Sequence, residues 1–423
     1  MTNNPIVKIE KVIYGGDGLG HIDGKTVFVP FTAPGDEVKI KITEEKKNYS
    51  RGEIVEIISS ASCGRIPFCQ YFGTCGGCQL QHINYDDQVT IKTGFVQDAY
   101  RNLVFSKDKI QSCQASPRKD FYRNKITLYI DKVNHLIGYH KKNSHQLIDI
   151  KNCRIAYTTI NGALKLIRDN FSPEDFNLID SIVLRANDLN ELMIIFTGTV
   201  SYKSELPEKI YKLEHGLSIK SIICAEENGH SFIITKNIDD NFLLNQTPIK
   251  HKISPPSFSQ INLAVASNLL ATLKNALALT GQETLIDAYC GSGLISLFLA
   301  DKVKRVIGLE SVPEAVEDAK ANAELLNYSN CRFICGSVEQ ELIKLKESAD
   351  ILIIDPPRAG CDPKTIEAIL QLQPQKLAYI SCDPSTMARD MAKLSQIYQI
   401  SFIQPFDMFP QTGHVETLAL LTK

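Results

Sequence analysis

From Asn262 to Thr422 the chain repeats one unit: a short apolar run, a turn made of Gly, Pro, Ser or Asp, and then a stretch with helical spacing. Thr284 to Ala288, Arg305 to Leu309, Ile351 to Ile354 and Leu377 to Ile380 are such runs. They read as central strands, because a strand buried on both faces needs no polar alternation. Helices between successive strands act as crossovers, so the pattern predicts a mostly parallel α/β sheet covered on both sides. In sheets of this kind ligands bind beyond the carboxyl ends of the strands. The turn residues are therefore where function is to be sought.

The first turn, Asp287-Ala288-Tyr289-Cys290-Gly291-Ser292-Gly293-Leu294, has glycines at Gly291 and Gly293, where backbone can approach a ligand closely. The next strand ends on Glu310, about twenty residues on, where one carboxylate can accept hydrogen bonds from both hydroxyls of a ribose. A nicotinamide dinucleotide would ask for G-x-G-x-x-G, whereas Leu294-Ile295-Ser296 follow the second glycine here. That departure favours S-adenosylmethionine. Later strands end on Gly336-Ser337, on Asp355-Pro356-Pro357-Arg358 and on Ser381-Cys382. Cys382 stands at a ligand-binding edge, and Pro384 and Ser385 open a helix whose amino terminus is expected to favour its thiolate. Cys382 is thus a candidate nucleophile.

Residues 1–60 alternate as short strands, Val7 to Val12, Gly20 to Ile22, Thr26 to Val29, Val38 to Ile42 and Gly52 to Ile57, which suits a small barrel of the oligonucleotide-binding kind. With Ala33-Pro34-Gly35-Asp36 after the third strand, the segment resembles a TRAM domain, an RNA-binding barrel appended to RNA-modifying enzymes. Beyond it, Cys69, Cys75 and Cys78 follow with gaps of five and two residues. The glycines in Cys75-Gly76-Gly77-Cys78 let two sulfurs turn on to one centre. Structural zinc sites pair C-x₂₋₄-C units, which a gap of five does not supply, and radical S-adenosylmethionine enzymes resemble C-x₃-C-x₂-C. Three cysteines at this spacing with a distant fourth suit a closed iron-sulfur cluster. Cys153 is the choice for the fourth ligand, with Cys63 its competitor.

The net charge of −2 averages over unlike segments: Arg101 to Arg154 holds twelve Lys or Arg against four Asp, a local charge of +8. Within it, runs from Phe121 to Ile130 and Leu136 to Tyr139 interleave Tyr122, Arg123, Lys125, Tyr129, Tyr139, His140, Lys141 and Lys142. Aromatic faces stack on unpaired bases while cations meet phosphates, so the mixture suits single-stranded RNA. Met1-Thr2-Asn3-Asn4-Pro5 lacks the regions of a signal peptide, and no run of 18 apolar residues occurs, so a cytoplasmic protein without membrane contact is expected.

Phe258-Ser259-Gln260-Ile261-Asn262, Asp287-Ala288-Tyr289-Cys290-Gly291, Asp355-Pro356-Pro357-Arg358, Ser381-Cys382-Asp383-Pro384 and His414-Val415-Glu416-Thr417 together resemble the RNA uridine-5-methyltransferases, specifically the 23S ribosomal RNA branch. The resemblance covers nearly the whole chain. It implies a Rossmann-like class I methyltransferase domain over 256–423, a TRAM/OB-like β-barrel over 1–60, and a central α+β iron-sulfur and RNA-binding domain over 61–255. It further implies a [4Fe-4S] cluster on Cys69, Cys75, Cys78 and Cys153, and S-adenosylmethionine contacts at Gln260, Tyr289, Leu294, Glu310, Ser337 and Asp355. Cys382 would be the nucleophile and Glu416 the base. The sequence departs from the family pattern in four places: Tyr289 stands where Phe is common, Leu294 and Ser337 where Asn is familiar, and Asp383 where Asn is usual. The expected substrate is a uridine of 23S ribosomal RNA, with transfer RNA as the alternative and an inactive RNA-binding factor as the competing class. A monomer without an obligate protein partner is expected.

Overall fold

The computed structural model describes residues 4–103, 107–142, 144–199, 209, 217–225, 231–234, 243–246, 249–254, 257, 259–345 and 347–423. Phe258 and the 255/256 boundary lie outside the described residues.

Strands β1 (Ile6–Val12), β2 (Asp17–Ile22), β3 (Lys25–Pro30), β4 (Glu37–Glu45) and β5 (Tyr49–Ser59) close a barrel in the order β1-β2-β3-β5-β4. Period-two alternation turns Val7, Ile9, Val27, Val29, Val38 and Ile40 into one interior. The Pro34-Gly35-Asp36 turn is fastened by Asp36, whose carboxylate accepts from Ala33 N and Ala61 N at 2.7 Å each.

Helix α1 (Tyr85–Ala99) leads to a seven-stranded sheet. Its strands are β6 (Lys125–Asp131), β7 (Leu136–His140), β8 (Leu147–Asp149), β9 (Ile179–Ala186), β10 (Glu191–Gly198), β11 (Ser218–Ala225) and β12 (Ser231–Ile234), in the order β12-β11-β10-β9-β6-β7-β8. Helix α2 (Thr158–Asn170) covers it with Ile160, Ala163, Leu164 and Ile167, an i, i+3, i+4, i+7 stripe. The strand expected from Phe121 begins instead at Lys125, because Phe121 adopts φ +46°. Tyr122, read as an RNA-facing aromatic, is 1% exposed and its hydroxyl donates to Pro410 O at 3.0 Å. It is part of the core. A hairpin of β13 (Leu243–Gln246) and β14 (Ile249–Lys252) follows.

The last sheet holds β15 (Thr284–Ala288), β16 (Arg305–Glu310), β17 (Cys331–Cys335), β18 (Ile351–Ile354), β19 (Lys376–Ser381), β20 (Gln399–Phe406) and β21 (Glu416–Thr422), in the order β17-β16-β15-β18-β19-β21-β20. Its first five members in that order are parallel, and β21 runs antiparallel between β19 and β20. Strand order reverses between β15 and β18, which opens a crevice at their carboxyl ends. Since β21 is antiparallel, its first residue, Glu416, lies at the edge where the parallel strands finish. Alternate residues face opposite layers: Leu285, Ile353 and Ala378 meet α3 (Leu263–Leu277), whereas Ile286, Ile354 and Tyr379 face the other side. That second core also contains Val12 and Ala33 of the barrel and Phe95 and Val96 of α1. Barrel and sheet therefore share one apolar layer. Among the described residues no helix is long and apolar enough to cross a membrane.

Candidate active site

Cys382 is the first residue beyond β19, and the pairing of Ser381 with Thr417 sets Glu416 beside that end. Glu416 is 4% exposed. Burial, and then the charge of Asp355, hold its carboxyl well above the usual carboxylate range, while Arg358 acts in the opposite sense. Asp355, just past β18, is pushed up to about 7 by burial and then by Asp287. The charge of Arg358, from the same turn, acts on the thiol of Cys382.

The thiol of Cys382 is pushed up to about 11, first by burial and then by Glu416, with Arg358 opposing. The expected thiolate is therefore not the resting form. The helix that follows, Pro384–Leu394, is capped by Asp383, whose carboxylate accepts from Ser385 N at 2.9 Å and Thr386 N at 3.1 Å. Those amides are spent within the chain, and Pro384 has none to offer. Arg358 is left as the group that favours a negative sulfur.

Tyr14, a neighbour of Cys382, escaped the sequence reading, and His414 entered it only as part of a motif. The hydroxyl of Tyr14, from the loop between β1 and β2, donates to Cys382 O at 2.8 Å and lies 3.3 Å from His414 Nδ1. His414 is pulled down to about 4, chiefly by burial and then by Arg358, so its ring is neutral at pH 7. No spacing rule connects residues 368 positions apart. The available hint was Gly15-Gly16 after Tyr14 and Gly413 before His414, glycines of the kind that allow two loops to touch.

The crevice beyond β15, β16, β17 and β18 gathers Tyr289, Gly291, Gly293, Leu294, Glu310, Ser337 and Asp355. Gly293, at φ +85°, begins the helix Leu294–Leu299, and a Cβ there would lie 3.1 Å from Ala319 Cβ. Gly291 N donates to Glu310 Oε2 at 3.0 Å. The other oxygen of Glu310 accepts from Ser311 N, Ser311 Oγ and Val312 N, so Oε2 keeps room for a further donor. Ser337 Oγ is buried with no partner. Asp287, fully buried and pushed up to about 7, accepts from Ser296 N and Oγ through one oxygen, while the other has no partner. Orphaned polar atoms in such a place suit a polar ligand. Gln260 lies in the loop before α3, its carbonyl accepting from Asn124 Nδ2 at 3.2 Å.

Cys69, Cys75, Cys78 and Cys153 line a single cavity of about 830 Å³. Cys63 does not join them; its thiol is directed to Pro34 O at 3.7 Å. Burial is the main cause that raises the thiols of Cys69, Cys75 and Cys78, and proximity to Cys153 raises each further. Gly77 N donates to Cys75 Sγ at 3.4 Å. Among the described residues no three His, Cys, Asp or Glu side chains are placed to hold a metal ion. The cysteine loop is fastened to the strand-to-strand loop before Glu416: Gln79 N and Leu80 N donate to Gln411 O at 3.0 and 2.9 Å, and Gly413 N donates to Gln79 Oε1 at 3.1 Å.

The chain is similar to known proteins along most of its length. The family tRNA (Uracil-5-)-methyltransferase matches residues 84–423, and the TRAM domain matches residues 6–55. An uncharacterized RNA methyltransferase of Clostridium acetobutylicum is 34% identical over 96% of this chain and 94% of its own. One from Listeria innocua is 35% identical over 98% and 96%. Among solved structures, the Pyrococcus abyssi tRNA (uracil-54, C5)-methyltransferase in complex with S-adenosyl-L-homocysteine has a TM-score of 0.76 at 25% identity, covering 98% of this chain and 100% of that one. With barrel, crevice and strand ends all inside these matches, the chain belongs to the tRNA (uracil-5-)-methyltransferase family and carries a TRAM domain at its amino end.

Proposed function

We propose that this protein methylates carbon 5 of a uridine in RNA, with Cys382 as nucleophile and Glu416 as base. The observation that carries the reading is the meeting of Cys382, Arg358 and Glu416 at one sheet edge. Carbon 5 of uracil is a poor nucleophile, and addition of a thiolate to carbon 6 moves electron density on to it. The thiol proton passes to solvent, and the charge of Arg358 favours the thiolate left behind. Once carbon 5 carries a methyl group it also holds a surplus proton. The Glu416 carboxylate takes that proton, the electron pair returns to the ring, and the thiolate departs from carbon 6. A carboxylate held above its usual range is the stronger base for this step.

S-adenosylmethionine, when bound, supplies an electrophilic methyl group. We assign its binding to Gln260, Tyr289, Gly291, Gly293, Leu294, Glu310, Ser337 and Asp355. The spare oxygen of Glu310 and the unpaired hydroxyl of Ser337 support the assignment, as does the S-adenosyl-L-homocysteine held by the Pyrococcus abyssi neighbour. For Cys69, Cys75, Cys78 and Cys153 we propose a [4Fe-4S] cluster, supported by four thiols around one cavity. The cluster would pin the cysteine loop and take no part in the chemistry. Anaerobically purified protein should then hold about four irons per chain, and stoichiometric zinc in colourless protein would reject it.

The barrel combined with the cysteine set favours 23S ribosomal RNA as substrate, acted on by a monomer in the cytoplasm. Transfer RNA is the second reading, favoured by the substrate named for the Pyrococcus abyssi neighbour. Incubating the enzyme with labelled S-adenosylmethionine and either 23S fragments or transfer RNA separates the two. Retention of both RNAs with no methylated uridine in either would instead make the protein a binding factor.

A further inference from the structure

The barrel reaches the strand edge that carries Cys382 through the side chain of Tyr14. Tyr14 stands in the β1–β2 loop with its ring edge-on to Phe95 at 6.0 Å and to His414 at 5.7 Å. Its hydroxyl has one proton to give. Cys382 O, at 2.8 Å, can only accept, so the proton goes there. Toward His414 Nδ1, at 3.3 Å, the hydroxyl must then act as acceptor. His414 therefore carries its proton on Nδ1 and leaves Nε2 as a lone pair.

We infer that Tyr14 is a positioning residue for Cys382, which makes the barrel part of the active site as well as an RNA-binding attachment. The inference rests on the reading of Cys382 as nucleophile. Tyr14 holds the carbonyl of the residue that bears the sulfur, and it fixes the tautomer of a ring two positions before Glu416. The loop that presents it is seated without slack. Gly15 N donates to Gly413 O at 2.9 Å, and a Cβ on Gly413 would lie 2.3 Å from the carbonyl carbon of Gly15. A Cβ on Gly16, at φ +92°, would lie 2.5 Å from Gln79 Cβ. Barrel loop, cysteine loop and the loop before Glu416 thus meet at glycines: Gly413 touches the backbone of Gly15 and Gly16, and Gly16 touches the base of the Gln79 side chain. Burial and the charges of Asp383 and Cys382 push the Tyr14 hydroxyl up, so it remains a donor across the working range of pH. Addition to carbon 6 demands a closely set sulfur, and the tether on its own main chain supplies that constraint.

The test uses the full-length enzyme, substrate RNA and S-adenosylmethionine. Tyr14→Phe keeps the ring and removes the tether, and it should lower kcat and the rate of covalent adduct formation by about ten- to a hundredfold. KM for RNA and for S-adenosylmethionine should stay within about twofold, since no substrate contact is removed. Gly413→Ala displaces the same loop from the other side and should lower kcat with the hydroxyl intact. Wild-type kcat in both variants, or a loss confined to KM for RNA, would overturn the inference. Cys382→Ala separates the two layers of argument. An adduct that survives it removes the underlying reading, whereas its loss alongside normal adduct formation in Tyr14→Phe removes this inference alone.

Discussion

At the scale of single residues, burial raises the acids and the thiol of the site above their ordinary pKa values. Cys382 at about 11 is mostly protonated at pH 7, and below that value its thiolate fraction grows about tenfold per pH unit. Alkylation of Cys382 in the enzyme without RNA, followed by peptide mass spectrometry, should therefore accelerate about tenfold per unit between pH 7 and pH 9. Arg358→Ala should slow it at every pH in that window, because the sulfur loses its one favourable charge; a rate flat with pH would mean the thiolate already stands free. Asp287 and Asp355, both raised to about 7 from an ordinary 3.8, act on stability in the matching sense. Protons favour the folded state, so the stability they contribute is whole below about pH 4 and is lost as pH rises through about 7. Urea midpoints should fall between pH 6 and pH 8, and fall less in Asp287→Asn. Glu416→Gln keeps the side chain's size and removes the base, so the enzyme should accumulate as a covalent RNA adduct on a denaturing gel. Normal turnover by that variant would reject the assigned role.

At the scale of elements, the loop between β20 and β21 carries the burden of assembly. Gln411 is fully buried at φ +71°, and its side chain accepts from Arg65 Nη2 at 2.8 Å and Gln88 Nε2 at 3.0 Å while donating to Lys119 O at 3.0 Å. Gln411→Ala removes those three bonds, while Gln88 Nε2 keeps Leu80 O and Ile83 O, and should cost about 1–3 kcal/mol in chemical denaturation. A variant as stable as the wild type would show that the loop is held by backbone alone. Little of this was legible in the sequence. The strands and the turns at Gly291, Glu310, Ser337, Asp355 and Cys382 were, because each is written in a few consecutive residues whose pattern sets burial. The resting form of Cys382, the burial of Tyr122 and the arrival of Tyr14 were not. They depend on groups distant in the chain, and local patterns of hydropathy carry no record of which loop meets which.

At the scale of the whole molecule, a chain of net charge −2 must still meet a polyanion, so its cations must be used locally. The segment from Arg101 to Arg154 is the richest in cations, yet its charges are not equally free. Lys125 is half-buried and pulled down to about 8 by burial and then by Arg185, and Lys142 is bound to Asp17 of the barrel at 3.0 Å. Arg118, Lys119, Lys151 and Arg154 are exposed. These four, and not Lys125 or Lys142, should be the ones that displace counterions from RNA. Changing all four to Gln should weaken RNA binding at low salt and reduce the slope of log affinity against log salt by up to about 3, given roughly 0.7 per phosphate on a single strand. Changing Lys142 alone should instead loosen the barrel from the connection between β7 and β8, lowering melting temperature while leaving the salt slope intact. Affinity measured across a salt series decides the matter. An unchanged slope in the fourfold variant would show that the RNA follows another surface, and a flattened slope in Lys142→Gln would show that the ion pair with Asp17 opens to meet phosphate.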